Sequence, residues 1–262
     1  MRTRGAGRAR WLVPTVFWVV VLVVWEFSSG GNVVSRLFFP PPSAIASTFV
    51  RQMRNGEMLG HLKLTMTRLA LGFAIGGSTG LLLGLWMGWS RTAREIASPV
   101  LAALHPLPKL SLLPLLLVVF GLGEQSKVVV IALSAFFPML INAMAGVRQI
   151  DDLTWEVAEH YHARGMTLLR RVILPGSLPM VLAGAQLALN SGLTVTVAVE
   201  LLSAQKGLGA TLWLAWQTLR TTELYATLFV IAVLGVLTNA VLGLLSRVLI
   251  PWRAKGEHDE YA

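Results

Sequence analysis

The sequence predicts an all-α membrane protein of about six transmembrane helices, with both termini in the cytoplasm. Hydrophobic residues make up 55% of its 262 residues and charged residues 13%, and the mean hydropathy is +0.65. Soluble domains carry about 25% charged residues. The apolar residues occur in runs of about 20, the length that crosses a bilayer as a helix. Six such spans leave no room for a second domain, so residues 1–262 are expected to form one transmembrane domain.

Lysine and arginine residues are concentrated at the ends of the apolar runs. Thirteen lie in the predicted inner segments and seven in the predicted outer segments. This excess sets the orientation by the positive-inside rule. The net charge of +9 therefore does not indicate nucleic-acid binding, which would need a basic face on a soluble fold. The absence of cysteine excludes disulfides and thiolate metal sites.

The first span is predicted at about 11–27, after an arginine-rich stretch at 1–10. A cleaved signal peptide is the competing interpretation, but residues 28–32 offer no A-x-A cleavage site. We therefore expect a retained, extra N-terminal span that precedes the core of the domain at about 59–250. Three prolines at 40–42 form a stiff turn, and an amphipathic helix is predicted for 44–53, lying along the outer membrane surface.

The second span, at about 65–89, carries a glycine at every fourth position. The five glycines are Gly72, Gly76, Gly80, Gly84 and Gly88. A row of residues without side chains lets another helix approach closely, and van der Waals contact then drives helix association. Glycine is also common in membrane helices generally, and the pattern does not say which helix is the neighbour.

The third span, at about 97–120, is interrupted by prolines. They are Pro99, Pro106, Pro108 and Pro114. Backbone groups released by proline are tolerated at membrane depth only beside other helices or a water-filled cavity. A discontinuous helix therefore points toward a transport route. The fourth span is predicted at about 127–147.

The fifth and sixth spans are predicted at about 178–202 and 224–250. Between them, residues 203–222 form an outer connector with a short helix at 211–219. Between spans four and five lies the one long polar interruption of the second half, at about 151–175. It carries too many charges to lie in hydrocarbon, so we expect a cytoplasmic loop of two short helices. Thr154 is expected to cap the first helix and Pro175 to end the second.

This polar loop resembles a known coupling segment. The residues E-V-A at 156–158, followed by V-x-L-P at 172–175, resemble the EAA loop of ATP-binding cassette (ABC) importer permeases, which docks on the ATPase subunit. The segments FPPPSAIASTF (39–49), FGLGEQSK (120–127) and AVELLSAQKGLG (198–209) resemble the permeases for sulfonates, taurine and nitrate. In one departure, His162 stands where the loop usually has glycine, and Gly165 follows three residues later.

The resemblance implies a type I ABC importer permease, in which a loop at about 151–176 couples transport to ATP hydrolysis. The residues carried over are Glu156, Val157, Ala158, His162, Gly165, Val172, Leu174 and Pro175. Ala158 and the region around His162 would enter a groove on the ATPase. The implied partners are two ATPase subunits, an extracytoplasmic solute-binding protein and a second permease copy in a homodimer. ATP and Mg would be bound by the ATPase, with no cofactor on this chain.

Polar residues within the predicted spans are candidates for the translocation route, because burying them unpaired is costly. They are His105, Lys109, Asn142, Gln186, Asn190 and Glu200. Hydrogen bonding between helices is the structural alternative, and for Asn239 we favour it. Lys109 lies about 18 Å along span three, near the middle of the membrane. It is expected either to assist an anionic solute or to pair with a carboxylate such as Glu200.

Two other functional classes are weighed against an ABC permease. A secondary transporter or channel would favour inverted internal repeats, and none is visible. An intramembrane enzyme would need a nucleophile and a base, and the sequence contains no such set. There is no G-x-x-x-x-G-K-[ST] phosphate loop and no H-E-x-x-H metal motif. The function predicted is transport of a small, anionic solute by alternating access, without catalysis on this chain.

Overall fold

The computed structural model describes residues 6–30 and 35–250, with the backbone alone for 6–13 and Gly30. Every regular element in these ranges is helical, as the sequence predicts. The helices are α1 (Ala6–Gly30), α2 (Pro42–Arg54), α3 (Glu57–Trp89), α4 (Arg91–Leu104), α5 (Leu113–Phe120), α6 (Glu124–Arg148), α7 (Asp152–His160), α8 (Gly165–Leu168), α9 (Leu174–Ser203), α10 (Leu208–Gln217) and α11 (Thr221–Leu249). Predictions for residues 1–5 and 251–262 lie outside the described residues.

Among the described residues, 6–30 and 35–250, four helices are long and apolar enough to cross a membrane. These are α3, α6, the continuous helix Gly165–Ser203 and α11. A fifth candidate is the bent pair Arg91–Leu104 and Lys109–Phe120, whose two parts meet at 84°. The prolines predict a break at this place, and by length and composition the bent pair is either one broken span or a re-entrant loop. The described apolar part of α1, Pro14–Ser29, is shorter, so length and composition alone give four or five spans.

The glycine row of α3 lies against α6. A Cβ atom at Gly80 would stand 2.5 Å from the carbonyl oxygen of Phe136, and one at Gly88 would stand 2.6 Å from Cβ of Val147. Gly72 and Gly76 face the start of the same helix. Because the contacts follow the same order along both helices, α3 and α6 run parallel. The neighbour left open by the sequence is therefore a helix of the same chain.

Helix α9 packs on the opposite side of α6. A Cβ at Gly184 would lie 2.6 Å from Cβ of Asn142. The largest buried cluster extends from this contact into the polar loop, and it includes Ala135, Val147 and Ile173. The cluster holds α3, α6 and α9 together and continues beneath the loop. The loop therefore rests on the ends of the spans that it connects.

The two ends of the loop differ from the prediction. The N-cap of α7 is Asp151, whose side chain accepts a hydrogen bond from the backbone N–H of Thr154, so the cap assigned to Thr154 was wrong. Pro175 does not end a helix either. A π-helical turn at Leu169–Ile173 leads directly into α9, where Pro175 occupies the first turn. The helix continues through Pro175 because the missing N–H of proline falls at the π-helical turn, where the regular i→i−4 ladder is already interrupted.

Other boundaries shift by a few residues. Helix α3 begins at Glu57, eight residues before the predicted start of span two, because its first two turns pack beneath α10. The amphipathic helix is Pro42–Arg54 and the connector helix is Leu208–Gln217. Phe49 of α2 meets Phe229 of α11 edge to face, with ring centroids 5.9 Å apart. The apolar face of α2 is therefore placed against the chain's own last span.

Candidate functional site

Three of the predicted route residues meet in one groove. Its volume is about 590 Å³, and it lies between α6, α9 and the break that follows α4. We call it the central groove. Its lining residues are His105, Pro138, Ile141, Asn142, Leu187, Asn190, Ser191, Thr194 and Val195. Pro138 lies fourteen residues into α6, which is about 21 Å along the helix and near the middle of a membrane.

Lys109 adjoins the central groove. It occupies the 3-10 turn Lys109–Leu112, at the break of the bent pair. Its ammonium group donates to the carbonyl oxygen of His105 and lies 4.9 Å from the centre of the Phe137 ring. The His105 ring stacks on the same phenyl ring, with centroids 5.5 Å apart. The bent pair therefore places the imidazole of His105 in the groove lining and holds the ammonium group of Lys109 against the backbone of the same residue.

The polar groups of the groove are only partly engaged by the chain itself. The side-chain amide of Asn142 donates to the carbonyl oxygen of Pro138 at 2.8 Å. The hydroxyl of Thr194 donates to the carbonyl oxygen of Asn190 at 3.0 Å. Within 35–250, the structure gives no hydrogen bond to the side chain of Asn190 or Ser191. The groove thus presents donors that a solute could use.

Glu200 lies elsewhere, in a cluster near the predicted outer ends of the spans. Its side chain is 0% exposed, and its Oε1 accepts from Nη1 of Arg68 at 2.7 Å. Arg68, 3% exposed, also donates from Nε and Nη2 to Glu124 at 2.6 and 2.7 Å. We call these three residues the outer charge cluster. Glu200 is therefore not the partner of Lys109, and the structure removes it from the central groove.

The outer charge cluster also fixes the start of α10. The Glu200 carboxylate accepts from the backbone N–H of Gly209 at 3.0 Å and from the hydroxyl of Thr65 at 2.9 Å. A negative charge is favourable at a helix N-terminus. Gly207 has φ of +124°, and a Cβ there would meet both carboxylate oxygens at 2.5 Å. The G-L-G of 207–209 is thus needed for the carboxylate to reach the helix.

Sequence reasoning missed Arg68 as a partner in this cluster. The available signal was one arginine in span two and one carboxylate in span five, both about one turn or two from the predicted outer surface. Opposite charges at similar depth pair readily, because an unpaired charge in the membrane is expensive. Depth alone would have favoured Arg68 over Lys109, which lies near the middle.

The remaining route candidate, Gln186, faces away from the central groove. Its side-chain amide donates to Oδ1 of Asn239 at 3.0 Å, which joins α9 to α11. This contact agrees with the packing role favoured for Asn239. In the part of the chain that the structure describes, no group of three His, Asp or Glu side chains is placed to hold a metal ion.

The polar loop is a compact unit with defined ends. The hydrogen bond with Thr154 lowers the pKa of Asp151 below its usual value. Helix α7 ends where the N–H of Ala163 bonds to the carbonyl of Ala158 and that of His162 bonds to Glu159, a Schellman motif. His162 has φ of +51°, a left-handed conformation that favours glycine. This left-handed position explains why the EAA loop usually has glycine here, and in this chain His162 adopts the same conformation.

The two faces of the loop have opposite surroundings. Ala158 is 6% exposed and packs with Leu168 in the main buried cluster, so it is not open to a partner as the resemblance suggested. Large apolar side chains instead project outward. They are Leu153, Val157, Tyr161 and Met166, and Tyr161 is 79% exposed. Leu153 and Val157 share one side of α7 because they are four residues apart, and Tyr161 follows at the residue that ends the helix. We call these four residues the apolar face of the loop.

Comparison with known proteins places these features in context. Residues 80–255 match the family described as binding-protein-dependent transport system inner membrane component. A Bacillus subtilis (strain 168) protein named as the aliphatic sulfonates transport permease SsuC is 35% identical over 249 residues, covering 95% of this chain and 90% of the relative. The taurine transport system permease TauC of Escherichia coli (strain K12) is 33% identical, with 90% and 88% covered. The protein named as SsuC in the same strain is also 33% identical, with 93% and 94% covered.

Proposed function

Since the chain belongs to the family of binding-protein-dependent transport system inner membrane components, we propose that it is the membrane-spanning permease subunit of an ABC importer. ATP hydrolysed by a separate subunit drives alternating access. The observation that carries the proposal is the helical loop α7–α8, which stands on the ends of two spans and exposes an apolar face. Exposed apolar patches of this kind mark surfaces that bind other proteins.

The transported solute is proposed to be a small organic anion of the sulfonate or taurine type. The support is twofold. Relatives covering most of the chain are named for aliphatic sulfonates and taurine, and the groove-lining residue His105 accepts a hydrogen bond from the ammonium group of Lys109. Neither acid of the outer charge cluster lines this groove.

The proposed arrangement has six spans with both termini in the cytoplasm, and residues 1–262 form a single permease domain. Four long helices, the bent pair and α1 supply six apolar segments. The parallel course of α3 and α6 supports this count, because parallel neighbours need an even number of crossings between their starts. Cysteines placed at Thr167 and Ser203 of this cysteine-free chain should react with an impermeant thiol reagent from opposite sides. Reaction of both from one side would refute the arrangement.

The proposed partners are two ATPase subunits, an extracytoplasmic solute-binding protein and a second copy of this chain. The ATPase subunits carry ATP and Mg, and this chain carries no cofactor and no catalytic residue. The ATPase is proposed to bind the apolar face of the loop. The loop lies on the predicted inner side, and Ile173 packs in the same buried cluster as Val147 of α6 and Val181 of α9, so a movement of the loop is proposed to reach both helices.

This docking surface can be tested with a single charge. Val157 is 48% exposed, so Val157→Asp should leave the chain folded and weaken its binding of the ATPase by about tenfold or more, as at interface hot spots. The matched control is Thr92→Asp, which adds the same charge at an exposed position at the start of α4. Co-purification of the tagged chain with the ATPase measures both. Equal binding by Val157→Asp and the wild type would contradict docking on this face.

Ala158→Trp tests the loop from its buried side. A tryptophan cannot fit at Ala158, because its neighbours already fill the space. Inserting bulk into a packed core typically costs about 1–3 kcal/mol. The variant should therefore distort the loop and uncouple ATP hydrolysis from uptake or prevent assembly. Normal transport by Ala158→Trp would count against a coupling role for the loop.

A further inference from the structure

The central groove is lined by hydrogen-bond donors and by no carboxylate. His105, Asn142, Asn190 and Ser191 supply imidazole, amide and hydroxyl groups, and among the described lining residues there is neither Asp nor Glu. Each of these groups can donate a hydrogen bond to a negatively charged oxygen, and no carboxylate in the lining would repel an anion. Because the same groups can also accept, the preference for an anion depends on the positive charge of Lys109 beside His105.

The positive charge next to the groove is not compensated by the chain. Lys109 forms no ion pair among the described residues, because both Glu124 and Glu200 are bound to Arg68. Its ammonium group has three donors, and one of them is used by the carbonyl of His105. A charged side chain near the middle of a membrane is costly to hold. A bound anion would offset that cost.

The walls of the groove fit an apolar tail attached to the charged head. Ile141, Leu187 and Val195 contribute aliphatic surface. The volume of about 590 Å³ lies within the roughly 300–1,000 Å³ of small-molecule sites. Leu187 and His105 are exposed, so the groove is open on one side. In the proposed homodimer a second copy could close it.

We propose that the central groove is a binding site for a small organic oxyanion on its way through the membrane. Lys109, His105 and Asn190 recognise the anionic head, and the aliphatic wall accommodates one to a few carbons. This inference rests on the proposed transport function and adds to it a place on this chain where the solute is selected. Selection here is separate from any selection by the solute-binding protein, because the site lies at mid-membrane depth.

The test uses the complete complex, with its ATPase subunits and binding protein, in proteoliposomes. The probe is radiolabelled ethanesulfonate. Lys109→Met and Asn190→Leu should each reduce ATP-dependent uptake by about tenfold or more, the effect of losing one charge-assisted hydrogen bond. Lys109→Arg should keep most of the uptake, because it keeps the charge. Lys63→Met is the matched control, since Lys63 is exposed near the start of α3, outside the groove, and it should transport as the wild type does.

The outcomes separate this inference from the transport function itself. If the wild-type complex takes up ethanesulfonate and both Lys109→Met and Asn190→Leu take it up equally well, the proposed binding site is refuted and the permease function is not. No ATP-dependent uptake by the wild-type complex would overturn the proposed function and its solute, and the site with them. If Lys109→Met fails to assemble with the ATPase, Asn190→Leu decides alone: reduced uptake supports the site and normal uptake refutes it.

Discussion

The contacts of the glycine row of α3 predict whether an added methyl group raises or lowers the stability of the protein. A methyl group added at Gly84 would stand 2.5 Å from the carbonyl oxygen of Leu140 and 2.8 Å from Cβ of Ala143, whereas ordinary contact begins at 3.4 Å. The obstacle at Leu140 is backbone, so it cannot rotate away as a side chain could. Helices α3 and α6 would have to separate by about 0.9 Å, and a gap of that size forfeits about a quarter to a half of each contact.

The expected cost of Gly84→Ala is about 1–3 kcal/mol, the range for overpacking. Gly60→Ala is the control in the same helix. Gly60 is exposed, and a Cβ there would meet nothing within 4 Å. Alanine exceeds glycine in helix propensity by about 0.8–1.0 kcal/mol, so Gly60→Ala should stabilise the protein slightly. The two identical substitutions are therefore predicted to have opposite signs.

The assay is heat-induced loss of the monodisperse peak in size-exclusion chromatography of the complex purified in detergent. A change of 1 kcal/mol shifts the midpoint by about 2–4 °C for a chain of this size. The midpoint of Gly84→Ala should fall below that of the wild type, and that of Gly60→Ala should equal or exceed it. A Gly84→Ala midpoint at or above the wild-type value would refute the argument that the glycines are required for close approach.

Three further predictions concern charge and backbone. Glu200→Ala should lower stability by about 3–5 kcal/mol, because it strips a buried partner from an arginine; Glu124→Ala, whose carboxylate is half exposed, should cost less in the same melting assay. Asp151→Ala should weaken ATPase binding, because it removes the cap of α7, whereas Asp152→Ala should not. The pKa of Asp151 is lowered by its hydrogen bond with Thr154. Its stabilisation of α7 is therefore present at neutral pH and is lost as the pH falls through that lowered pKa. His162→Gly should raise the melting midpoint, since it removes a left-handed strain of about 1 kcal/mol, and a lower midpoint would show that the histidine side chain stabilises the loop.

The features predicted well from the sequence are those set within one segment. Apolar runs gave an all-helical membrane protein, and the proline positions marked the bend between Arg91–Leu104 and Lys109–Phe120. Charge density and two short motifs indicated a helical loop, now observed at α7–α8. The four-residue glycine spacing marked one side of α3, since periodicity determines which residues share a helix face.

The sequence did not predict the contacts that depend on which helices and loop segments pack together. Glu200 was a candidate partner for Lys109, but in the structure Glu200 pairs with Arg68 because α3 and α9 approach each other at their outer ends. Ala158 was expected to face the ATPase, and it faces the chain's own core. Pro175 was expected to stop a helix, and a π-helical turn accommodates it. The pairing of Glu200 is decided by packing between distant segments, and the other two outcomes are decided by how the loop folds on itself and on the span ends, which residue spacing alone does not reveal.

The central claim is that this chain transports its solute only through a partner that hydrolyses ATP. The most direct measurement is uptake of radiolabelled ethanesulfonate into proteoliposomes that contain the chain with or without its ATPase subunits, with the binding protein outside the vesicles and ATP on the ATPase side. Uptake is predicted to require both the ATPase subunits and ATP, and to be reduced by Val157→Asp, which weakens binding of the ATPase. Uptake by the chain alone, driven by an ion gradient and insensitive to ATP, would contradict the account and identify a secondary transporter.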